Sequence, residues 1–317
     1  MKPPYRITAL ILSKVSSISE KLGEVNANYL SKPSPKLRKQ NRIKTIHSSL
    51  RIEGNTLTEE QVTALLDNKR VLGPKKDIQE VLNAIKVYDQ LSIFDPYSRE
   101  SFLSAHESLM AGLIEQLGKY RNQSVGIVHG KEIAHVAPPA VNVPFLMKDL
   151  FDYLKNDEDL ILIKSCVFHY EMEFIHPFID GNGRMGRLWQ TIILSEANQV
   201  FEYLPLEILI IQTQADYYKA LAICDKAGES TAFIEYMLKL IEDSLIELLD
   251  YNHKILTDTE RIEYFISVKK GEFSRKDYMN VFKDLSSATA SRDIKKGVDM
   301  MRFEKFGDKR LTKYLIK

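Results

Sequence analysis

Apolar residues recur every three or four positions along most of this chain, and the runs in which they do so mark out helices. Ile7, Leu10, Ile11, Ile18 and Leu22 set such a stripe over residues 7–30. It gives way to SKPSPKLRKQ, a basic, proline-bearing segment that reads as a linker. Helical spacing resumes in NRIKTIHSSLRIEGNTLT and stops at Gly54-Asn55, a pair that suits a helix C-cap because both tolerate positive φ. Thr58, followed by Glu59 and Glu60, opens the next helix: the hydroxyl can accept a first-turn N–H, and the carboxylates suit the positive end of the macrodipole. The same periodicity predicts helices over 77–92, 99–117, 145–154, 160–174, 184–198, 216–225 and 231–249.

Two stretches break the helical texture. RNQSVGIVHGKEIAHVAPPAVNVP holds β-prone runs at Val125–Val128 and Glu132–Val136 around His129-Gly130-Lys131, a short hairpin closed by a proline pair. The end of the chain orders as a helix (Glu260–Ser267), a second opened by Phe273-Ser274-Arg275, and a third capped by Ser286-Ser287-Ala288-Thr289. A two-stranded wing then turns at Gly307-Asp308. The expected organisation is a helical region over 1–100, a central core over 101–255 and a small C-terminal domain over 256–317.

Composition changes this picture little. Hydrophobic residues make up 44% and charged residues 27%, and only 14 glycines and 11 prolines punctuate 317 residues, which favours a helix-rich fold. Net charge is +1, so no global basic excess points to nucleic acid or membrane. Locally, residues 258–317 carry 15 Lys and Arg against 10 Asp and Glu, a net of +5, leaving −4 for the residues before them. Cys166 and Cys224 are too few for a disulfide framework or a cysteine-rich zinc site. MKPPYRITALILSKVSS is too short and too interrupted by charge for a secretory signal, no span approaches a membrane helix, and the cytoplasm is the expected location.

The chemistry is concentrated in HPFIDGNGRMGR, His176–Arg187. Gly181, Gly183 and Gly186 spell GxGxxG, with Glu202 about twenty residues on, the spacing of a dinucleotide fingerprint. That fingerprint needs a strand before the glycines, whereas Leu160, Ile163, Val167, Tyr170 and Phe174 recur at helical spacing. WQTIILSEANQ after it is helical too, so the Rossmann reading fails. A helix–loop–helix has different uses. Small residues let backbone N–H groups form an anion nest at a helix N-terminus. Arg184 and Arg187 project from one face of the first turn. Asp180 is placed to hold a Mg²⁺ that bridges phosphate oxygens, and His176 to accept a proton from an attacking hydroxyl. These are the parts of phosphoryl or nucleotidyl transfer from a nucleotide.

At these residues the chain resembles the Fic family, whose active-site motif HPFx(D/E)GNGRxxR it matches without departure. The resemblance implies a mostly α fold: a Fic helical core with a small β-hairpin flap, followed here by a C-terminal winged helix-turn-helix domain. It implies AMPylation, the transfer of AMP from ATP to a hydroxyl of a target protein. His176 would be the base and Asp180 the Mg²⁺ ligand. Asn182 and the Gly181 and Gly183 backbone would form the anion hole, and Arg184 and Arg187 would grip phosphates. Pro177 and Phe178 would anchor the loop, while Gly186 is only a spacer between arginines. The related Doc kinases carry lysine where Gly183 stands, so Gly183 favours nucleotidyl transfer. The hairpin at 125–136 matches the flap that clamps a target protein by strand pairing, and Tyr217-Tyr218 resembles the nucleobase-side helix. SLRIEG, from Ser49 to Gly54, fits the inhibitory motif in which Glu53 pairs with Arg187 and spoils the pose of ATP. In some family members that glutamate instead supports removal of AMP.

Other features leave alternatives open. The third C-terminal helix offers Arg292, Lys295 and Lys296 to phosphates, but Asp293 and Asp299 share it, so a DNA contact and a protein contact both stand. A DNA-binding regulator with an inactive or nucleotide-sensing Fic core is the rival reading. A homodimer is left open. His169, two turns before His176, lacks a third ligand for zinc, and His106, His129 and His135 are placed either in the cleft or on the surface.

Overall fold

A computed structural model describes residues 2–27, 33–129, 132–254, 257–282, 285–307 and 312–317. The chain divides into two compact units, one of Met1–Ser17 with Asn41–Ser244, the other of Ile18–Gln40 with Leu245–Lys317. In chain order the elements begin with α1 (Ala9–Ala27), α2 (Pro35–Ile52), α3 (Glu59–Leu66), α4 (Lys75–Asp89) and α5 (Arg99–Met110). Strands β1 (Gly126–His129) and β2 (Glu132–Val136) follow, then α6 (Val143–Asn156), α7 (Ile161–Ile175), α8 (Asn182–Ala197), α9 (Leu206–Gln212), α10 (Gln214–Ala227) and α11 (Thr231–Lys254). The rest is α12 (Asp258–Val268), β3 (Glu272–Phe273), α13 (Arg275–Val281), α14 (Ser287–Asp299), β4 (Phe303–Phe306) and β5 (Lys313–Ile316).

The first unit is built around α7 and α8. Nearly every side chain of α7 from Leu162 to Tyr170 is buried, and Met185, Leu188, Trp189, Ile192, Ile193 and Leu194 of α8 are buried with them. A helix apolar all round belongs in a core rather than at a surface. Phe102, Phe151, Phe168, Phe178 and Trp189 form one aromatic cluster, with Trp189 Nε1 donating to the Pro96 carbonyl at 3.1 Å. Phe178 belongs to the motif, so burying its ring ties the motif to the core.

The hairpin forms as an antiparallel ribbon with Gly126 opposite Val136, Ile127 opposite His135 and His129 opposite Glu132; its register shifts between Ile127 and Val128. The turn residues Gly130 and Lys131 lie outside the described residues, as do the side chains of His129 and His135. In the second unit β3, β5 and β4 make an antiparallel sheet in that order. Phe265, Phe273, Tyr278, Ile294 and Phe303 fill its core. The expected turn at Gly307-Asp308 falls partly on Asp308, outside the described residues.

Several expectations are corrected. The second half of the basic linker is helical: Ser34 Oγ accepts from Leu37 N–H at 3.3 Å and Pro35 takes the first position of α2, where its missing N–H costs nothing. The helix expected over 99–117 ends at Met110, because Gly112 turns the chain at φ +74° although apolar residues continue beyond it. The helix at Leu206–Gln212 adds to those the periodicity predicts; it begins right after Pro205 and spans too few residues to show a period. Asp293 does not oppose phosphate on the face of α14. It is 2% exposed and takes Arg261 Nε at 2.6 Å and Nη2 at 2.9 Å. Lys296 is engaged by Asp258 at 2.6 Å. Among the described residues, no helix is long and apolar enough to cross a membrane.

Candidate active site

The motif occupies the turn between α7 and α8. His176 ends α7 in the left-handed region, φ +50°, ψ +61°, with its N–H on the Met172 carbonyl at 2.9 Å. That conformation costs a non-glycine residue about 1–2 kcal/mol, so the surroundings must hold it. Gly181 turns the chain again at φ +89°, and a methyl group there would lie 2.7 Å from Met110 Sδ, so only glycine fits.

Between these two points the loop is fastened from inside. Asn182 Oδ1 accepts from the Phe178 N–H and its Nδ2 donates to the Phe178 carbonyl, both at 2.9 Å. The Asn182 side chain therefore closes the loop rather than facing a ligand. The N–H groups of Gly183 and Arg184 remain in the first turn of α8, where no intrahelical acceptor exists. His106, fully buried, stacks on Phe178 at 3.6 Å. Gly118 N–H donates to its Nδ1 at 3.1 Å, which leaves the Nε2 proton for the Asp180 carbonyl at 3.1 Å. Burial pushes its pKa down to about 4, so this histidine supports the loop as a neutral ring.

The two arginines have separate partners. Arg187 donates from Nε to Ser49 Oγ at 3.1 Å, and from Nη2 to the Ser49 carbonyl at 2.9 Å and Glu53 Oε1 at 2.7 Å. A methyl on Gly183 would lie 2.5 Å from that same Glu53 oxygen, so the carboxylate rests against the first turn of α8. Burial opposes the charge on Arg187, but Glu53, together with Tyr217 and Glu173, more than offsets this and its pKa is raised. Arg184 reaches Asp180 Oδ1 at 2.8 Å and Glu80 Oε1 at 3.2 Å. Glu80, on α4, also takes Asn55 Nδ2 at 2.7 Å. This joins the motif to the residues that follow the Ser49–Gly54 segment. Arg184 Nε and Arg187 Nη1 are buried without a hydrogen-bond partner among the described residues. Unsatisfied buried donors cost about 1–3 kcal/mol each, so each of these N–H groups favours a further acceptor.

Among the described residues no group of three His, Cys, Asp or Glu clusters to cage a metal. Asp180 fits a different arrangement. Its side chain is 44% exposed, with Oδ1 accepting from Arg184 Nη2 and, at 2.6 Å, from the Gly181 N–H, which is thereby committed within the loop. One accessible carboxylate suits a Mg²⁺ whose other oxygens come from phosphate and water.

Some expected site residues move. Tyr217 is 2% exposed; its hydroxyl meets His169 Nε2 at 3.2 Å and its ring packs on Phe233 and Tyr236, which makes it core rather than nucleobase contact. Half-buried Tyr218 lies edge-on to it at 5.4 Å, and both rings sense the charges of Glu53 and Arg187. Gly186 is no mere spacer: a methyl there would sit 2.7 Å from both Glu173 Oε1 and His169 Cδ2 of α7. His169 is a core residue, bonded through Nδ1 to Gln190 Oε1 at 2.7 Å and held neutral by burial, with a pKa near 3. Glu80 and Arg121 emerge only from the fold, and His106, placed by the sequence either in the cleft or on the surface, is fully buried behind the loop.

Comparison with known proteins agrees with the motif. The Fic/DOC family profile matches residues 96–194. A crystal structure of a Fic family protein from Desulfovibrio desulfuricans is 40% identical, covering 100% of this chain and 98% of that one, with a TM-score of 0.78. Protein adenylyltransferase fic-1 of Caenorhabditis elegans is 29% identical over 219 residues, 63% of this chain and 40% of that protein. Protein adenylyltransferase Fic of Nematostella vectensis is 27% identical over 251 residues, 74% and 55% respectively. The chain thus spans roughly half the length of these curated relatives.

Proposed function

This chain belongs to the Fic/DOC family, and from that premise we propose that it is a protein adenylyltransferase, moving AMP from ATP to a hydroxyl side chain of a target protein, and that Glu53 restrains it. The observation that carries this reading is the Glu53 carboxylate, which lies on Arg187 and against Gly183. A side-chain anion sits in the seat that a helix N-terminus and an arginine would offer a phosphate.

In the proposed reaction the target hydroxyl oxygen attacks the α-phosphorus of ATP. The new O–P bond forms as the bond to the bridging oxygen breaks, and pyrophosphate leaves with the electron pair. His176 takes the hydroxyl proton. The N–H groups of Gly183 and Arg184 and the Arg187 guanidinium hold phosphate oxygens, pre-aimed because Asn182 and His106 fix the loop beforehand. Magnesium arriving with the nucleotide would be held by Asp180 and would offset phosphate charge. The β1–β2 ribbon, having only two strands, leaves edges on which a target segment can pair main chain to main chain. With Glu53 in place, Arg187 is occupied and the carboxylate repels the incoming phosphate.

The test is incorporation of labelled AMP. Glu53→Gly should raise it about tenfold or more, since it frees a charge-assisted bond worth about 1.5–3 kcal/mol, and His176→Ala should abolish it. Labelling of Glu53→Gly no greater than that of the parent would remove the restraint from this account. Label surviving in His176→Ala would remove the base. Release of AMP from a pre-modified target by the parent protein would favour the reverse reaction at this site.

Free, buried Cys166 and Cys224 fit a reducing compartment such as the cytoplasm. The order helix, short strand, two helices and a ribbon supports a winged helix for residues 257–317. With Lys296 neutralised by Asp258, we read its exposed α14 face as a protein contact. Salt-dependent binding of duplex DNA would reverse that assignment.

A further inference from the structure

Arg121 is 2% exposed, and no carboxylate among the described residues pairs with it. Its guanidinium is directed instead at main-chain carbonyls. Nε donates to His176 O at 2.7 Å and Nη1 to Gln123 O at 2.7 Å. Nη2 donates to Pro138 O at 2.5 Å and to Ile175 O at 3.3 Å. The Arg121 N–H adds a bond to Pro177 O at 2.8 Å. Ile175 and His176 are the last residue and the C-cap of α7, so the cation faces the negative end of that helix dipole. Gln123 precedes β1 and Pro138 follows β2, so both stems of the ribbon are on the same side chain. Four donors set in one rigid plane fix four carbonyls at once, including that of the residue held in the left-handed region.

We propose that Arg121 is a positioning residue that registers the β1–β2 ribbon with the His176 main chain, so that a target segment seated on the ribbon meets the imidazole in one fixed geometry. The proposal rests on the transferase reading for its effect on chemistry, though the coupling itself is a property of the fold. Arg121 touches no reacting atom. Its contribution is placement, and a misplacement of about 1 Å at a reacting centre costs on the order of 100-fold in rate. Lysine cannot substitute, because a single ammonium on a flexible stem does not span four carbonyls in a plane.

The experiment uses the full chain carrying Glu53→Gly, with and without Arg121→Lys, and reads three quantities: ATP affinity, AMP incorporation, and amide hydrogen exchange by peptide. We expect ATP affinity to change by about threefold or less while AMP incorporation falls about 100-fold, a loss in turnover rather than nucleotide binding. Exchange should accelerate together in peptides covering 122–138 and 176–181, with α8 and α11 retaining their protection. Acceleration in only one of those two segments, uniform acceleration across the unit, or undiminished AMP incorporation would each overturn the proposal. If Glu53→Gly alone incorporates no AMP, the transferase reading fails by itself, and the paired exchange response still decides whether Arg121 couples ribbon and loop.

Discussion

Gly186 sits where α8 presses on His169 and Glu173, and a single methyl there has no room on either side. We expect Gly186→Ala to cost about 1–3 kcal/mol, seen as a lower urea midpoint, because the crowded His169 ring is fully buried and held by Gln190, so it cannot swing away. Glu80 presents the opposite case, a group whose removal leaves something behind. Replacing it by Ala strands Arg184 beside one partner and Asn55 without its carboxylate, and should cost about 3–5 kcal/mol in the same measurement; Glu80→Gln should cost less. The chemical identities of His176, Asp180, Arg184 and Arg187 were legible because the motif is local. Glu80 and Arg121 were not, and His106 was left between cleft and surface, since a sequence states what a side chain is but not which distant backbone or carboxylate it will meet. Asn182 and Tyr217 show a related limit: their polar atoms look available in the sequence and are already committed in the fold.

At the scale of elements, the end of α2 decides where the Glu53 carboxylate goes. Ser49 and Glu53 are four residues apart and so share a face, which lets both reach Arg187. The chain then leaves the helix at Gly54, φ +90°, and Asn55 fastens the exit to Asp77 O at 3.1 Å and to Glu80. Gly54→Ala should therefore cost about 1–2 kcal/mol and, by shifting the exit, raise basal AMP incorporation in the same preparation; a stability loss with unchanged incorporation would show that the exit does not set Glu53. Caps were the most readable element signals: Thr58, Ser274 and Ser286 each accept from a first-turn N–H as their sequence context indicates. Apolar period was less decisive at ends, as at Met110, where one glycine overrides a continuing stripe.

For the molecule as a whole, buried ionisable groups set a pH profile. Burial raises the carboxyls of Glu173 to about 8, and of Glu171 and Glu207 to about 7, above the unfolded carboxylate range. The folded state then binds more protons than the unfolded one, so their contribution is complete below about pH 4.5 and is lost as pH rises through 7–8. His106 and His169, depressed to about 4 and 3, act in the other direction, and their contribution is lost as pH falls below about 6.5. Between pH 6.5 and 8 the three carboxyls outweigh His106 and His169. The urea midpoint should fall across that window, and Glu173→Gln should flatten the fall; a midpoint level in the parent would contradict the assignment. Nothing in the residue order marks these carboxyls, because their shifts come from burial on α7 and α9 that only the packed fold creates.

The Glu53–Arg187 pair is lopsided: the arginine side chain is 1% exposed, the glutamate 30%. One half is a fixed post within the helical core and the other a hook that solvent can reach. On the proposed reading, relief of the restraint works on the hook, by pulling on residues 49–55 or by competing for its place. The threshold for release is set by how firmly that segment is moored, and can be tuned by substitutions that leave HPFIDGNGRMGR untouched.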